Sequence, residues 1–199
     1  MGDVMKIAVR SLLFVLSLTV IPVAHADIES WYTYWGLGLA RHSYPADLQD
    51  TVDQVESLSY VDRTQFAIDM LGFYFPASNQ KTIYGFVISG SADRLQNTSN
   101  TNNYVQINQY LYGLSAMHFL GNEPGDGFFV RGDIGFARAI IMDDYASVAS
   151  DWGNGILLGA GYGWPISRET RILFTAGIAN NRIEGESYST TVFSIGGLW

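Results

Sequence analysis

Three side chains in this chain of 199 residues have the types for acyl-transfer chemistry: His42, Ser91 and Asp93. An imidazole can take the proton of a hydroxyl, and a carboxylate can hold the imidazole in the tautomer that does so. His42 and the Ser91-Ala-Asp93 segment are far apart in the chain. They form a site only if the fold carries them to one place, which makes the secondary structure around each of them the next question.

That structure is β-strand. Alternation of apolar with small or polar residues recurs over 31–44, 66–75, 82–93, 104–119, 128–137, 153–164, 170–179 and 188–199. The run Phe128-Phe-Val-Arg-Gly-Asp-Ile-Gly-Phe-Ala137 shows it most plainly. Phe128, Val130, Ile134 and Phe136 share one face, and Arg131 and Asp133 share the other. Opposite charges on an otherwise apolar strand fit a face sheltered from lipid, where they can pair. In the last segment Phe193, Ile195, Gly197 and Trp199 fall together, opposite Val192, Ser194 and Gly196. This pattern predicts an all-β fold: a single antiparallel up-and-down transmembrane β-barrel of about eight strands.

On the same parity Trp35, Leu37 and Leu39 face lipid, whereas Tyr34, Gly36, Gly38, Ala40 and His42 face the lumen. In the second strand Phe66, Ile68, Met70 and Tyr74 are expected outside and Asp69 inside. Ser91 and Asp93 point inward near the outer mouth, where side chains from non-adjacent strands can meet across a narrow interior. The expected inward set also holds Leu71, Phe73, Val87, Leu111, Met117, Leu157, Leu173, Val192 and Leu198, and Arg131, Asp133 and Asp69 read as a structural polar plug. Short turns at Pro76, Gly121 and Pro165 belong on the periplasmic side. Longer loops at 45–65 (acidic), 94–103, 141–152 and 180–187 belong outside, and Trp31, Tyr32, Trp164 and Trp199 belong in the periplasmic aromatic girdle.

The N-terminus explains how such a chain would leave the cytoplasm. Lys6 and Arg10 precede the apolar run Ser11–Ile21, and Ala24-His-Ala26 has the small-x-small form of a leader-peptidase site. Residues 1–26 are therefore expected to be a cleaved signal peptide and 27–199 the outer-membrane barrel domain. The chain has no Cys, which leaves neither a disulfide framework nor a thiol for lipid attachment. The formal charge of -8, or -9 once Asp3, Lys6 and Arg10 leave with the leader, argues against a nucleic-acid partner.

Taken together, the leader, the alternating strands, the segment Phe129–Ala137 and the terminal aromatic resemble the small eight-stranded outer-membrane barrels, such as OmpA membrane domains, OmpX and OmpW. The resemblance implies a cell outer membrane location and a terminal strand, ending here at Trp199, that the barrel-assembly machinery reads. It implies no particular activity. A non-enzymatic barrel would contact lipopolysaccharide, another surface ligand or a small hydrophobic molecule. The acidic residues Asp47, Asp50, Asp53, Glu56, Asp62, Asp143 and Asp144 would then either share divalent cations with lipid phosphates or only solvate the loops. The alternative is a lipid A or phospholipid acyltransferase or acylhydrolase using His42, Ser91 and Asp93. That layout is similar to the lipid A palmitoyltransferase PagP, with a His near the end of the first strand and an Asp/Ser pair after the third. The order and spacing differ, Asp27–Ser30 leaves no room for an N-terminal helix, and the His-x-Ser motif of the lipid A deacylase PagL is absent.

No cofactor or metal site is expected. His25 lies in the leader, and His42 and His118 cannot assemble a cluster without Cys. Gly159-x-Gly161-x-Gly163 sits inside a strand with no following helix, unlike a phosphate-binding loop.

Overall fold

A computed structural model describes residues 30–199; the expected leader and the cut after Ala26 lie outside the described residues. Among the described residues nine strands form, β1 (Tyr32–Ser43), β2 (Val61–Pro76), β3 (Thr82–Asn97), β4 (Tyr104–Phe119), β5 (Gly127–Asp143), β6 (Ser147–Ala149), β7 (Gly153–Pro165), β8 (Arg171–Ile183) and β9 (Glu186–Leu198), with one helix, α1 (Ala46–Glu56). Eight of them close a ring, in the order β4-β3-β2-β1-β9-β8-β7-β5 with β5 pairing back to β4, every contact antiparallel. The short β6 only lines the outer end of β5. Thr33 and Trp199 complete the seam by exchanging backbone hydrogen bonds of 2.6 and 3.1 Å. Closure satisfies the backbone without a sheet edge, a requirement for strands in lipid.

The exterior carries a continuous apolar band. Leu39 is 71% exposed, Phe136 68%, Phe86 64%, Ile134 63% and Phe193 61%, an arrangement that only a lipid solvent stabilises. Toward the outer end the band stops abruptly. On the outward face Leu39 gives way to Arg41, Phe66 to Thr64, Phe136 to Arg138 and Phe193 to Thr191.

The lumen is filled in layers. At the periplasmic end Tyr32, Tyr34, Tyr74, Ile83, Met117, Phe119, Phe129, Leu173 and Leu198 form a fully enclosed apolar core. Room for the Tyr34 ring comes from Gly196, where a Cβ would meet the ring carbon at 2.5 Å. At the outer mouth α1 lies across the opening. Leu48, Val52 and Val55 recur at i, i+4 and i+7 and make one apolar stripe. That stripe packs on Tyr44, Val61, Leu95, Ile107 and Tyr188, with Val52 only 3% exposed.

Four expectations are corrected. The segment expected as an acidic loop over 45–65 contains α1 and the start of β2. Its carboxylates lie on the solvent side of an amphipathic helix, with Asp47 placed favourably in the first turn. The expected loop over 180–187 is a two-residue turn, with Ile183 paired to Glu186 and positive φ at Glu184 (54°) and Gly185 (87°), the backbone of a tight hairpin. In β2 the register skips between Asp69 and Leu71, so Met70 is an extra, bulged residue. Parity reverses beyond it: Tyr74 points into the lumen, Leu71 is 51% exposed, and Phe73 stacks on Trp31 at 5.3 Å on the outside. Tyr32, expected in the girdle, is buried in the core, while Trp31, Trp164 and Trp199 stay on the surface.

Candidate functional site

The middle of the lumen is an ionic plug. Arg131 on β5 reaches Asp69 on β2 with two hydrogen bonds of 2.9 and 3.0 Å, and Asp133 on its own strand with bonds of 2.8 to 3.1 Å. Tyr34 donates to Asp69, Tyr74 donates to Ser115, and Ser115 donates to Asp133. Strands β1, β2, β4 and β5 are thus tied across the interior by groups that all have partners. A buried ion group held this way rules out a continuous open pore at this level.

Above the plug the structure brings His42, Ser91 and Asp93 together, as strand parity anticipates. His42 comes from β1 and the other two from β3, and the three converge beyond the apolar band. His42 Nε2 lies 2.9 Å from Ser91 Oγ. Its Nδ1 lies 4.0 Å from Asp93 Oδ2, too far for a hydrogen bond. Between them stands Gln65, whose Nε2 is 3.0 Å from Asp93 Oδ2 and 3.3 Å from His42 Nδ1. The rest of Asp93 is taken up as well. Arg63 donates from Nε at 2.9 Å and from a terminal nitrogen at 2.6 Å, and the Tyr44 hydroxyl donates at 2.7 Å. Arg63 also binds Glu56 on α1 and so fastens the helix to the barrel wall.

The electrostatics follow from this geometry. The His42 imidazole is 5% exposed, and each of its ring nitrogens meets a polar side chain. The Asp93 carboxylate is fully buried and its charge is met by hydrogen bonds from Arg63, Tyr44 and Gln65. Burial and the Asp93 charge push the Tyr44 phenol up. Because the Gln65 amide donates to His42 Nδ1, the network assigns the ring proton to Nε2, from where it is donated to Ser91 Oγ. A general base for Ser91 needs the opposite tautomer, with a lone pair at Nε2 and Nδ1–H on a carboxylate. The three residues therefore meet with the imidazole in the orientation of a structural link.

Two spaces adjoin this group. A crevice of about 760 Å³ separates α1 from the tops of β1 and β2, with Leu39 and Arg41 at one side, Gln49, Asp53 and Glu56 at the other, and His42 in its lining. On the luminal side a cavity of about 40 Å³ runs from Ser91 down to Arg131 and Asp69. Neither Arg63 nor Gln65 was visible as a site residue from sequence, since both fall in the segment expected to be loop. Tyr44 was legible in principle, two residues beyond His42 on the same face. Among the described residues no group of three or more His, Asp or Glu could hold a metal ion.

No family model and no curated protein matches the chain. Among solved structures the fold is similar to that of Neisserial surface protein A, at 12% identity and a TM-score of 0.51 over 85% of this chain and 96% of that one. Matches of lower score include Ail of Yersinia pestis (11% identity, TM-score 0.47, 86% of this chain and 99% of that one) and OprG of Pseudomonas aeruginosa (11%, 0.40, 88% and 98%). The closed ring, the apolar exterior and the polar interior define a small integral outer-membrane β-barrel.

Proposed function

We propose that this chain is a closed, non-enzymatic outer-membrane barrel that works at its outer rim by binding the phosphates of lipopolysaccharide. The observation behind this reading is a row of outward arginines just beyond the apolar band. Arg41 follows Leu39 by two residues, Arg138 follows Phe136 by two, Arg182 follows Ile178 by four and Arg94 follows Ile88 by six, all even steps that keep one face. Guanidinium groups at headgroup level match phosphate oxygens in charge and geometry. The filled lumen supports the same reading, because a hydrocarbon has no space in a cavity of about 40 Å³. The test is retention of purified lipopolysaccharide by the refolded barrel, measured by native mass spectrometry. With about 1 kcal/mol per surface cation, the Arg41→Ser, Arg182→Ser double variant is expected to bind roughly 30-fold more weakly. Unchanged retention would overturn the proposal.

One observation favours a second reading, acyl transfer on the same class of lipid: the 2.9 Å contact between His42 and Ser91 beside a crevice that opens at the edge of the lipid band. It requires the imidazole to change tautomer and Gln65 to release it. Mass spectrometry of lipid A from cells lacking the protein, overproducing it, or carrying His42→Ala decides this. An acyl chain that tracks the gene and is lost with His42→Ala would make the protein an enzyme, and identical lipid A in all three would end that reading.

A further inference from the structure

The cavity between Ser91 and Arg131 is lined by three side chains whose polar atoms have no partner. These are Gln109 Nε2, Asn181 Oδ1 and Thr190 Oγ1, on residues that are 2%, 4% and 2% exposed. Asn181 does donate to Gln109 Oε1 at 3.2 Å, which fixes both amides and leaves one donor and one acceptor free. Ser91 adds a further demand: its oxygen accepts from His42, so its own hydroxyl hydrogen is left to point elsewhere, and Ser91 also lines the cavity. A buried polar atom left unpaired forfeits its hydration with nothing in return, so four such demands around one space call for an occupant.

Chemistry restricts what that occupant is. A cation would suit the Asn181 oxygen but not the Gln109 N–H or the Ser91 O–H. An anion would suit those donors but would sit beside Asp69, which also lines the space. An apolar molecule would suit none of them. What remains is a neutral molecule that both donates and accepts, and the size is decisive. A water needs at least about 10–15 Å³ of such volume, so about 40 Å³ accommodates two or three.

We propose that this cavity is a binding site for two or three ordered waters, which join Gln109 and Asn181 to Thr190 and Ser91 and continue the hydrogen-bond network of His42 down to the Arg131 plug. The waters make the upper lumen a single connected polar chain from Arg63 to Asp133, spanning β1 to β5, β8 and β9. The site does not depend on which surface ligand the barrel binds.

The test is a high-resolution crystal structure of the full barrel, paired with water-to-amide transfer in NMR at the Gln109 side chain. Expected are two or three density peaks within hydrogen-bond distance of Gln109 Nε2, Asn181 Oδ1 and Thr190 Oγ1, and a water cross-peak to the Gln109 amide protons. Thr190→Val, which keeps shape and removes one partner, should lose one peak while keeping the barrel folded. An empty cavity, or density of a larger molecule or an ion, would overturn the proposal, as would an unchanged set of waters in Thr190→Val.

Discussion

The two halves of the lumen are built on different terms. In the periplasmic half nine side chains close on one another and the Arg131 group beside them has each carboxylate engaged by strong donors. In the outer half an imidazole is buried, three polar atoms lining the cavity lack partners, and closure depends on a helix that belongs to no strand register. The contrast marks where the fold is held and where it has been left adjustable. The Arg131 ion group and the aromatic rings fix the lower barrel, and the cavity of the upper barrel keeps unused hydrogen-bonding capacity near the face that meets the exterior.

Substitutions probe each half separately. The largest effect is expected for Arg131→Met, which strands Asp69 and Asp133 without their cation inside the membrane and should cost about 3–5 kcal/mol in urea unfolding from lipid vesicles. A loss under about 1 kcal/mol would show that the plug does not hold the lower half.

A smaller loss, roughly 1–2 kcal/mol from two methyl groups at about 0.8 each, is expected for Val52→Ala under the helix, read as faster proteolysis within 44–60 ahead of any barrel unfolding. The smallest is Glu56→Gln. This residue is half exposed and its pair with Arg63 contributes below about 1 kcal/mol, so only amide exchange in α1 should register it.

Much of the architecture was legible because a strand between lipid and lumen must alternate, and in β1, β3, β5, β7, β8 and β9 nothing interrupts the period. The same arithmetic placed His42, Ser91 and Asp93 on one interior. It failed in β2, where the bulge at Met70 carries no composition signal and reverses every side chain after it. It failed again at α1, whose stripe of Leu48, Val52 and Val55 is diluted by Asp47, Asp50, Asp53 and Glu56. The partners that settle the state of His42, namely Gln65 and Arg63, were lost with that boundary. Tautomer and distance come from packing, which alternation does not encode.

Met70 makes β2 a strand of two phases spliced at a single residue. Its length therefore matters more than its composition, since Leu71, Phe73 and Phe75 face outward only because one residue stands outside the ladder. Drawing Met70 into the ladder, with every side chain unaltered, would present those three to the interior and turn Gly72 and Tyr74 toward lipid, removing Tyr74 from Ser115, whereas deleting Met70 would leave all of them on their present faces. In this protein a frame of one residue, counted along one strand, separates a filled lumen from an inverted one.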